Sequence, residues 1–252
     1  MNRTTHRWHH AGVAVVALAW SATFAAGGAV PTVVDVAEDH QAVRVYGEDG
    51  TPAFMLTIHD WRAWAEEHLA DALGGPVTIG DVEMEPETFH GFAVAGLAPD
   101  GRRLLVVATT YAMLTTASVL TVVDPATATL TAVADVAFGD VEALTWSPDG
   151  RYVAYALASA RAFGDGLRID DLETLRPVLE LDARSALASE ALADSGAATA
   201  SVDAFAWLPA FRDLTWDEDA TLTFRSHDPA LGPEAGVLVW RFEATSGALE
   251  VE

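Results

Sequence analysis

The stretch Leu144-Thr145-Trp146-Ser147-Pro148-Asp149-Gly150-Arg151-Tyr152-Val153-Ala154-Tyr155 decides how this chain is read. An apolar run enters a Pro-Asp-Gly turn, and a second apolar run leaves it. Gly tolerates the positive φ such a turn needs, and Asp bonds its own backbone. Forty-nine residues earlier, Leu97-Ala98-Pro99-Asp100-Gly101-Arg102 leads into Leu104 to Ala108. Strand, turn and strand recurring at that period predict repeated β-sheet blades.

Reading outward, the first repeat runs from His90 to Val136. Phe92 to Leu97 is its first strand and Leu104 to Ala108 its second, apolar on both faces as a strand between neighbouring sheets is. Val119 to Val123 follows, then the Asp124-Pro125-Ala126-Thr127 turn and Leu130 to Val136. The second repeat copies this grammar: Val141 to Trp146, Tyr152 to Leu157, a loop with Phe163-Gly164-Asp165-Gly166, Leu167 to Ile169, and Val178 to Leu181. The third is looser. Leu214-Thr215-Trp216 echoes Leu144-Thr145-Trp146 at an offset of 70, and Val202 to Pro209 echoes Val141 to Pro148 at 61. We take Val202 to Pro209 as the first strand, with Trp216 in the approach to the next. Ala220 to Arg225, Gly236 to Phe242 and Ala248 to Val251 complete this unit, which is expected to lose the turn along with its Pro-Asp-Gly.

Before the repeats, Val33 to Val36, Gln41 to Tyr46 and Ala53 to Ile58 predict three strands, the last two joined by the Asp49-Gly50 turn. Asp60 is placed as N-cap of a helix carrying Trp61, Trp64, His68, Leu69 and Leu73, stopped by Gly74-Gly75-Pro76. A second short helix is expected in the Ala-rich segment Ala183 to Gly196. The fold expected is all-β with minor α: about four antiparallel blades, either a closed small propeller or an open arc that closes by dimerisation, with one or two short inserted helices.

Leu144 to Tyr155, and more weakly Leu97 to Leu105, resemble the WD40-like Pro-Asp repeat of TolB-type propellers. The two units cover about a third of the chain. The resemblance implies a β-propeller, often exported, that binds protein. In prolyl oligopeptidase-like enzymes such repeats cover a hydrolase, but this chain has no Gly-x-Ser-x-Gly elbow and no room for that domain.

The 252 residues carry a formal charge of -23 from 14 basic and 37 acidic residues. Every basic residue is Arg, and Asn2 and Gln41 are the only side-chain amides. Such a surface repels nucleic acid and anionic membrane and suits cationic partners. With no Cys, disulfides, thiol catalysis and Cys-metal sites are excluded. Arg3 and Arg7 precede an uncharged run from Ala11 to Val34 that exits through Ala25 and Gly27-Gly28-Ala29. This predicts a signal peptide over 1–29, or an N-terminal anchor, ahead of a domain over 30–252, and hence a periplasmic, extracellular or envelope location.

No catalytic motif stands out. Trp216-Asp217-Glu218-Asp219 gathers three carboxylates in one turn, the right atoms for Ca²⁺ but without EF-hand spacing, so a solvated turn is the plainer reading. Asp165, Asp170 and Asp171 have the same status. The His residues lack zinc spacing. Glu83, Glu85 and Glu87 alternate as on a strand edge, ahead of His90. Trp146 and Trp207 are matched as blade-packing residues. The loops around Trp216, Asp217, Glu218, Asp219 and His227 are the candidate binding face, since propeller loops carry function on a rigid scaffold. No cofactor and no metal are expected. The first functional expectation is a non-enzymatic, exported module binding a protein or peptide through cationic groups. The alternatives are a Ca²⁺-assisted lyase or hydrolase and a tethered structural or sensory ectodomain; a homodimer fits any of them.

Overall fold

The computed structural model describes residues 31–79, 82–112, 115–137, 140–158, 166–182, 210–227 and 237–251. The leader, the Ala183 to Gly196 helix, the Val202 to Pro209 strand with Trp207, and Phe163 to Asp165 lie outside the described residues.

Three strands come first: β1 (Pro31–Val36), β2 (Ala42–Gly47) and β3 (Pro52–Thr57). Helix α1 (Ile58–Leu73) follows, then a ribbon of β4 (Thr78–Ile79) and β5 (Val82–Glu83) and a 3₁₀ turn at Pro86–Thr88. The second sheet is β6 (Gly91–Leu97), β7 (Leu104–Ala112), β8 (Thr115–Asp124) and β9 (Thr129–Ala137). The third is β10 (Asp140–Trp146), β11 (Tyr152–Ala158), β12 (Gly166–Asp171) and β13 (Arg176–Asp182). The last is β14 (Ala210–Trp216), β15 (Thr221–His227), β16 (Leu238–Glu243) and β17 (Ala248–Val251). Each sheet is an antiparallel meander in chain order.

First strands lie beside one another in the order β1, β6, β10, β14. Among the described residues no comparable contact joins β14 back to β1, so the blades form an open arc. Their faces stack in sequence. Leu105, Val107 and Leu120 of the second sheet meet Trp146, Val153 and Tyr155 of the third. The opposite face of the third, with Tyr152, Ala154 and Ile169, meets Phe211, Leu222, Phe224, Trp240 and Phe242 of the last. This two-sided burial is why Leu104 to Ala108 reads apolar at every position.

The first sheet departs from the blade pattern. Its β1–β2 turn lies against the start of β6, where Phe92 N–H donates to His40 O at 2.8 Å. The β10–β11 turn instead lies at the end of β6, near Ala98 and Pro99. The first sheet also has three strands, and α1 takes the place of a fourth by packing on β3 and β9. Buried Ile58, Trp61, Trp64, Ala65, Leu69 and Ala72 recur at helical spacing. Each Trp contributes on the order of 4–6 kcal/mol by area, an upper bound.

Four expectations are corrected here. Thr57, not Asp60, is the N-cap. Asp60 is the third helical residue of a capping box: its N–H donates to Thr57 Oγ1 at 3.1 Å, and its carboxylate accepts from Thr57 N–H at 3.3 Å. Glu83, Glu85 and Glu87 do not share a strand face, because β5 ends at Glu83 and Pro86 starts the 3₁₀ turn. The first strand of the last sheet is Ala210–Trp216, so the echo at offset 70 is the structural one. The turn of the third repeat is kept, as shown next.

Candidate functional site

Three turns join the first and second strands of the four-stranded sheets. Ala98 N–H donates to Arg103 O at 2.8 Å and Gly101 N–H to Ala98 O at 2.9 Å. In the next sheet Ser147 N–H donates to Tyr152 O at 2.9 Å and Gly150 N–H to Ser147 O at 2.8 Å. In the last sheet Asp217 N–H donates to Thr221 O at 3.0 Å and Ala220 N–H to Asp217 O at 3.3 Å. Gly101, Gly150 and Ala220 share φ of 68°, 68° and 58°. The geometry therefore survives without Pro or Gly, with Ala220 held in the left-handed region that disfavours a Cβ.

Two substitutions make this possible. The turn is one residue shorter, with no residue in place of Arg102 or Arg151. The stabilising carboxylate also moves. Asp100 and Asp149, third in their turns, accept from Arg102 N–H at 2.9 Å and Arg151 N–H at 3.0 Å. In the last sheet the first residue, Asp217, accepts from Asp219 N–H at 3.0 Å and Thr221 N–H at 2.9 Å. Asp217 is thus committed to the turn, while Glu218 and Asp219 are exposed.

The missing Arg changes the electrostatics. Arg103 lies 4.0 Å from Asp100. Arg151 donates to Asp171 at 2.8 Å, lies 3.4 Å from Glu173 and covers the Tyr152 ring at 5.0 Å. Burial opposes ionisation of Asp171, but the Arg151 hydrogen bond and the Glu173 backbone N–H outweigh it and hold its pKa below the ordinary range. Among the described residues no Arg pairs with Asp217, Glu218 or Asp219.

Trp216 is a joint between sheets. Its ring stacks on Tyr152, centroids 6.1 Å apart at 21°. One joint earlier Trp146 stands equivalently: Arg103, the counterpart of Tyr152, lies 5.7 Å over its ring, and its Nε1–H donates to Gly96 O at 3.1 Å. A Cβ at Gly96 would meet Leu144 Cδ2 at 2.5 Å and Trp146 Nε1 at 3.3 Å, so a larger residue there would have to displace the Leu144 side chain. The Trp216 indole N–H meets no acceptor among the described residues.

The structure therefore brings Trp216, Asp217, Glu218 and Asp219 together at one end of the last sheet. It does not bring His227 to them. His227 pairs with Ala210 at the far end of β15, six residues from Thr221 and about 20 Å away at strand rise.

Sequence reasoning missed a second constellation, at the other end of the arc. Four carbonyls of the segment entering β6 accept side-chain donors from three elements. Thr110 OH donates to Thr88 O at 2.7 Å, the Arg62 guanidinium to Phe89 O at 2.7 Å, Gln41 to His90 O at 2.6 Å and His40 Nδ1–H to Phe92 O at 3.0 Å. This seam ties α1 and the first sheet to the second. Gln41, alone of its kind in the chain, was the available signal. A third set is buried between sheets: Tyr155 OH donates to Asp170 at 2.7 Å, and Arg168 reaches Asp170 at 2.9 Å and Glu180 at 3.1 Å. Burial, then the Asp170 charge, raises the Tyr155 pKa well above its ordinary value. This set satisfies the buried Tyr155 and Asp170, and Glu180 ends it at the surface. Among the described residues no group of His, Asp and Glu is arranged to hold a metal ion. No described helix is long and apolar enough to cross a membrane.

No protein-family profile matches the chain, and no curated protein matches it in sequence. Solved structures do. The β-propeller domain of the Trilobed protease from Pyrococcus furiosus matches at 18% identity and TM-score 0.38, over 64% of this chain and 42% of that one. Chaetomium thermophilum Sqt1, bound to the N-terminus of the ribosomal protein L10, matches at 13% and 0.43, over 86% and 44%. The tricorn protease matches at 10% and 0.39, over 77% and 14%. The chain thus spans less than half the length of these structures. The β-propeller-like architecture itself stands on the sheet order and face stacking described above.

Proposed function

We propose that this chain is a non-enzymatic, exported β-propeller-like module of the TolB-type Pro-Asp repeat kind, which binds a protein or peptide bearing cationic groups. The observation that carries this reading is the turn of the last sheet. Glu218 and Asp219 are exposed on a hydrogen-bonded turn beside Trp216, and the Arg that follows Gly in the two sister turns is deleted. Exposed carboxylates carried on a hydrogen-bonded turn beside an aromatic ring suit Lys or Arg side chains of an extended partner.

Fluorescence anisotropy with Arg- and Lys-rich peptides tests this, with an acidic peptide as control. Binding is expected to weaken with salt and to drop at least about fivefold in the Glu218→Gln, Asp219→Asn double variant. Binding that ignores both salt and the double variant refutes the assignment of the turn. Export is tested separately by the mass of the mature N-terminus, expected to begin after residue 29.

A further inference from the structure

We infer that the partner's cationic side chain at the last sheet is an arginine, held by Glu243 together with Glu218 and Asp219, in the place that Arg151 occupies in the third sheet. This rests on the binding reading above and names the group that the same turn takes. A comparison of the two sheets, position by position, carries it. In the third sheet Tyr152 pairs with Asp171 across β11 and β12. In the last sheet Thr221 pairs with Glu243 across β15 and β16. The backbone beside both pairs is bonded alike: Leu172 N–H donates to Arg151 O at 2.9 Å, and Ala244 N–H to Ala220 O at 3.2 Å. Glu243 therefore stands where Asp171 stands. Each also holds the turn that follows it. Asp171 accepts from Glu173 N–H at 2.9 Å, and Glu243 accepts from the hydroxyls of Thr245, at 3.3 Å, and Ser246. Phe242 turns inward, so Glu243 lies on the outer face.

The two sheets differ in the guanidinium. Asp171 accepts from Arg151 Nη2 at 2.8 Å and Nε at 3.3 Å, and its side chain is 5% exposed. Glu243 is exposed, and among the described residues no Arg pairs with it. The Arg in question is the residue deleted between Ala220 and Thr221. The last sheet has kept the acceptor of an internal ion pair and lost the donor. The second sheet shows what else the pair requires. Its Asp124 accepts from Ala126 N–H at 2.8 Å and Thr127 N–H at 3.3 Å, as Asp171 does from its own turn, yet Arg102 does not reach it. There Arg103 stands in the Tyr152 position, and its charge opposes a second guanidinium alongside. Thr221 brings no such charge, and Glu218 and Asp219 add two carboxylates.

The chemistry separates Arg from Lys. A guanidinium is a planar fork that spans two carboxylates at once, as Arg151 spans Asp171 and Glu173, the latter at 3.4 Å. An ammonium is a compact, strongly hydrated point charge and gains less from carboxylates carried on two separate turns. The Asp217–Asp219 turn and the turn after Glu243 are two such carriers, joined through the Thr221–Glu243 pair.

Anisotropy with Arg-rich and Lys-rich peptides of equal length, on the full chain, tests this. The Arg-rich peptide should bind at least about threefold tighter. Inserting Arg between Ala220 and Thr221 restores the length of the sister turn and supplies the donor from within the chain. It should weaken binding of the Arg-rich peptide at least about fivefold, whereas Ser inserted at the same point should change it by less than about twofold. Glu243→Gln should weaken the Arg-rich peptide at least about threefold and the Lys-rich peptide less, so that the preference narrows. Circular dichroism checks that each variant is folded. Equal affinity for the two peptides overturns the inference. So does a loss with inserted Ser as large as with inserted Arg, or an Arg preference untouched by Glu243→Gln. Each of these leaves the binding role of the turn standing if the Glu218→Gln, Asp219→Asn variant still loses affinity. If neither peptide binds, the inference and the binding reading fall together.

Discussion

Trp146 and Trp216 occupy equivalent positions, but only one spends its indole N–H. The perturbation that separates them is Trp to Phe at each site. Both substitutions keep an aromatic ring at the joint and lose a similar volume, so their packing costs should nearly cancel in the difference. What remains is the hydrogen bond from Trp146 Nε1–H to Gly96 O at 3.1 Å, with no counterpart at Trp216. A net hydrogen bond contributes about 1 kcal/mol, and a carbonyl left short of a donor costs about 1–3 kcal/mol. Trp146→Phe should therefore destabilise the fold by about 1–2 kcal/mol more than Trp216→Phe. Urea unfolding followed by circular dichroism measures this through the midpoint, provided the slope m is unchanged. In a thermal melt the same difference is a few degrees. Equal costs at the two sites, or a larger cost at Trp216, would refute the reasoning, because the joint would then be held by ring packing alone.

The seam at residues 88–92 gives further expectations. Arg62→Met leaves Phe89 O without its charged donor and should cost about 1.5–3 kcal/mol in urea unfolding. Gly91→Ala places a Cβ 2.8 Å from His40 O and 3.0 Å from His40 Cβ, and backbone cannot swing aside; a loss of about 1–3 kcal/mol is expected in the same assay. His90 has its pKa lowered by burial, then by Arg62 and His40, with Asp140 opposing. Its contribution is therefore complete above about pH 6.5, the unfolded value, and declines as pH falls and the unfolded chain takes up the proton first. The slope is shallow because the ring is only partly buried, and it should disappear in His90→Asn when midpoints are compared from pH 8 to 5.

Most of the repeat architecture was legible because it rests on local chemistry. Pro-Asp-Gly at residues 99–101 and 148–150 announces its φ requirement in the residue types. The last turn was not legible, because Ala220 adopts the same φ without glycine and Asp217 replaces the carboxylate from another position. A pattern read by residue identity misses a geometry reached by different donors. The same limit hides Ala210–Trp216 behind Val202–Pro209: resemblance to Val141–Pro148 is local, whereas pairing with β15 is a long-range property. Of the candidate site, Trp216 to Asp219 were found because they are contiguous. Sequence proximity groups His227 with them, although a strand of seven residues carries it to the opposite end. The seam was invisible because its donors, His40, Gln41, Arg62 and Thr110, are scattered over 70 residues and meet only after the first sheet and α1 have packed.

The Trp joint has a direction. Each wedge points back to a seat in the preceding sheet, Arg103 with Gly96 for Trp146 and Tyr152 for Trp216. The last sheet carries Thr221 at the position of Arg103 and Tyr152, so it offers neither a guanidinium nor an aromatic ring as a seat. Tandem duplication of residues 140–182 would thus supply both a wedge and a seat, whereas duplication of 210–251 would supply a wedge with nowhere to sit. One residue at the entry to each second strand, Arg103, Tyr152 or Thr221, therefore decides which of these sheets can receive a Trp from a following one.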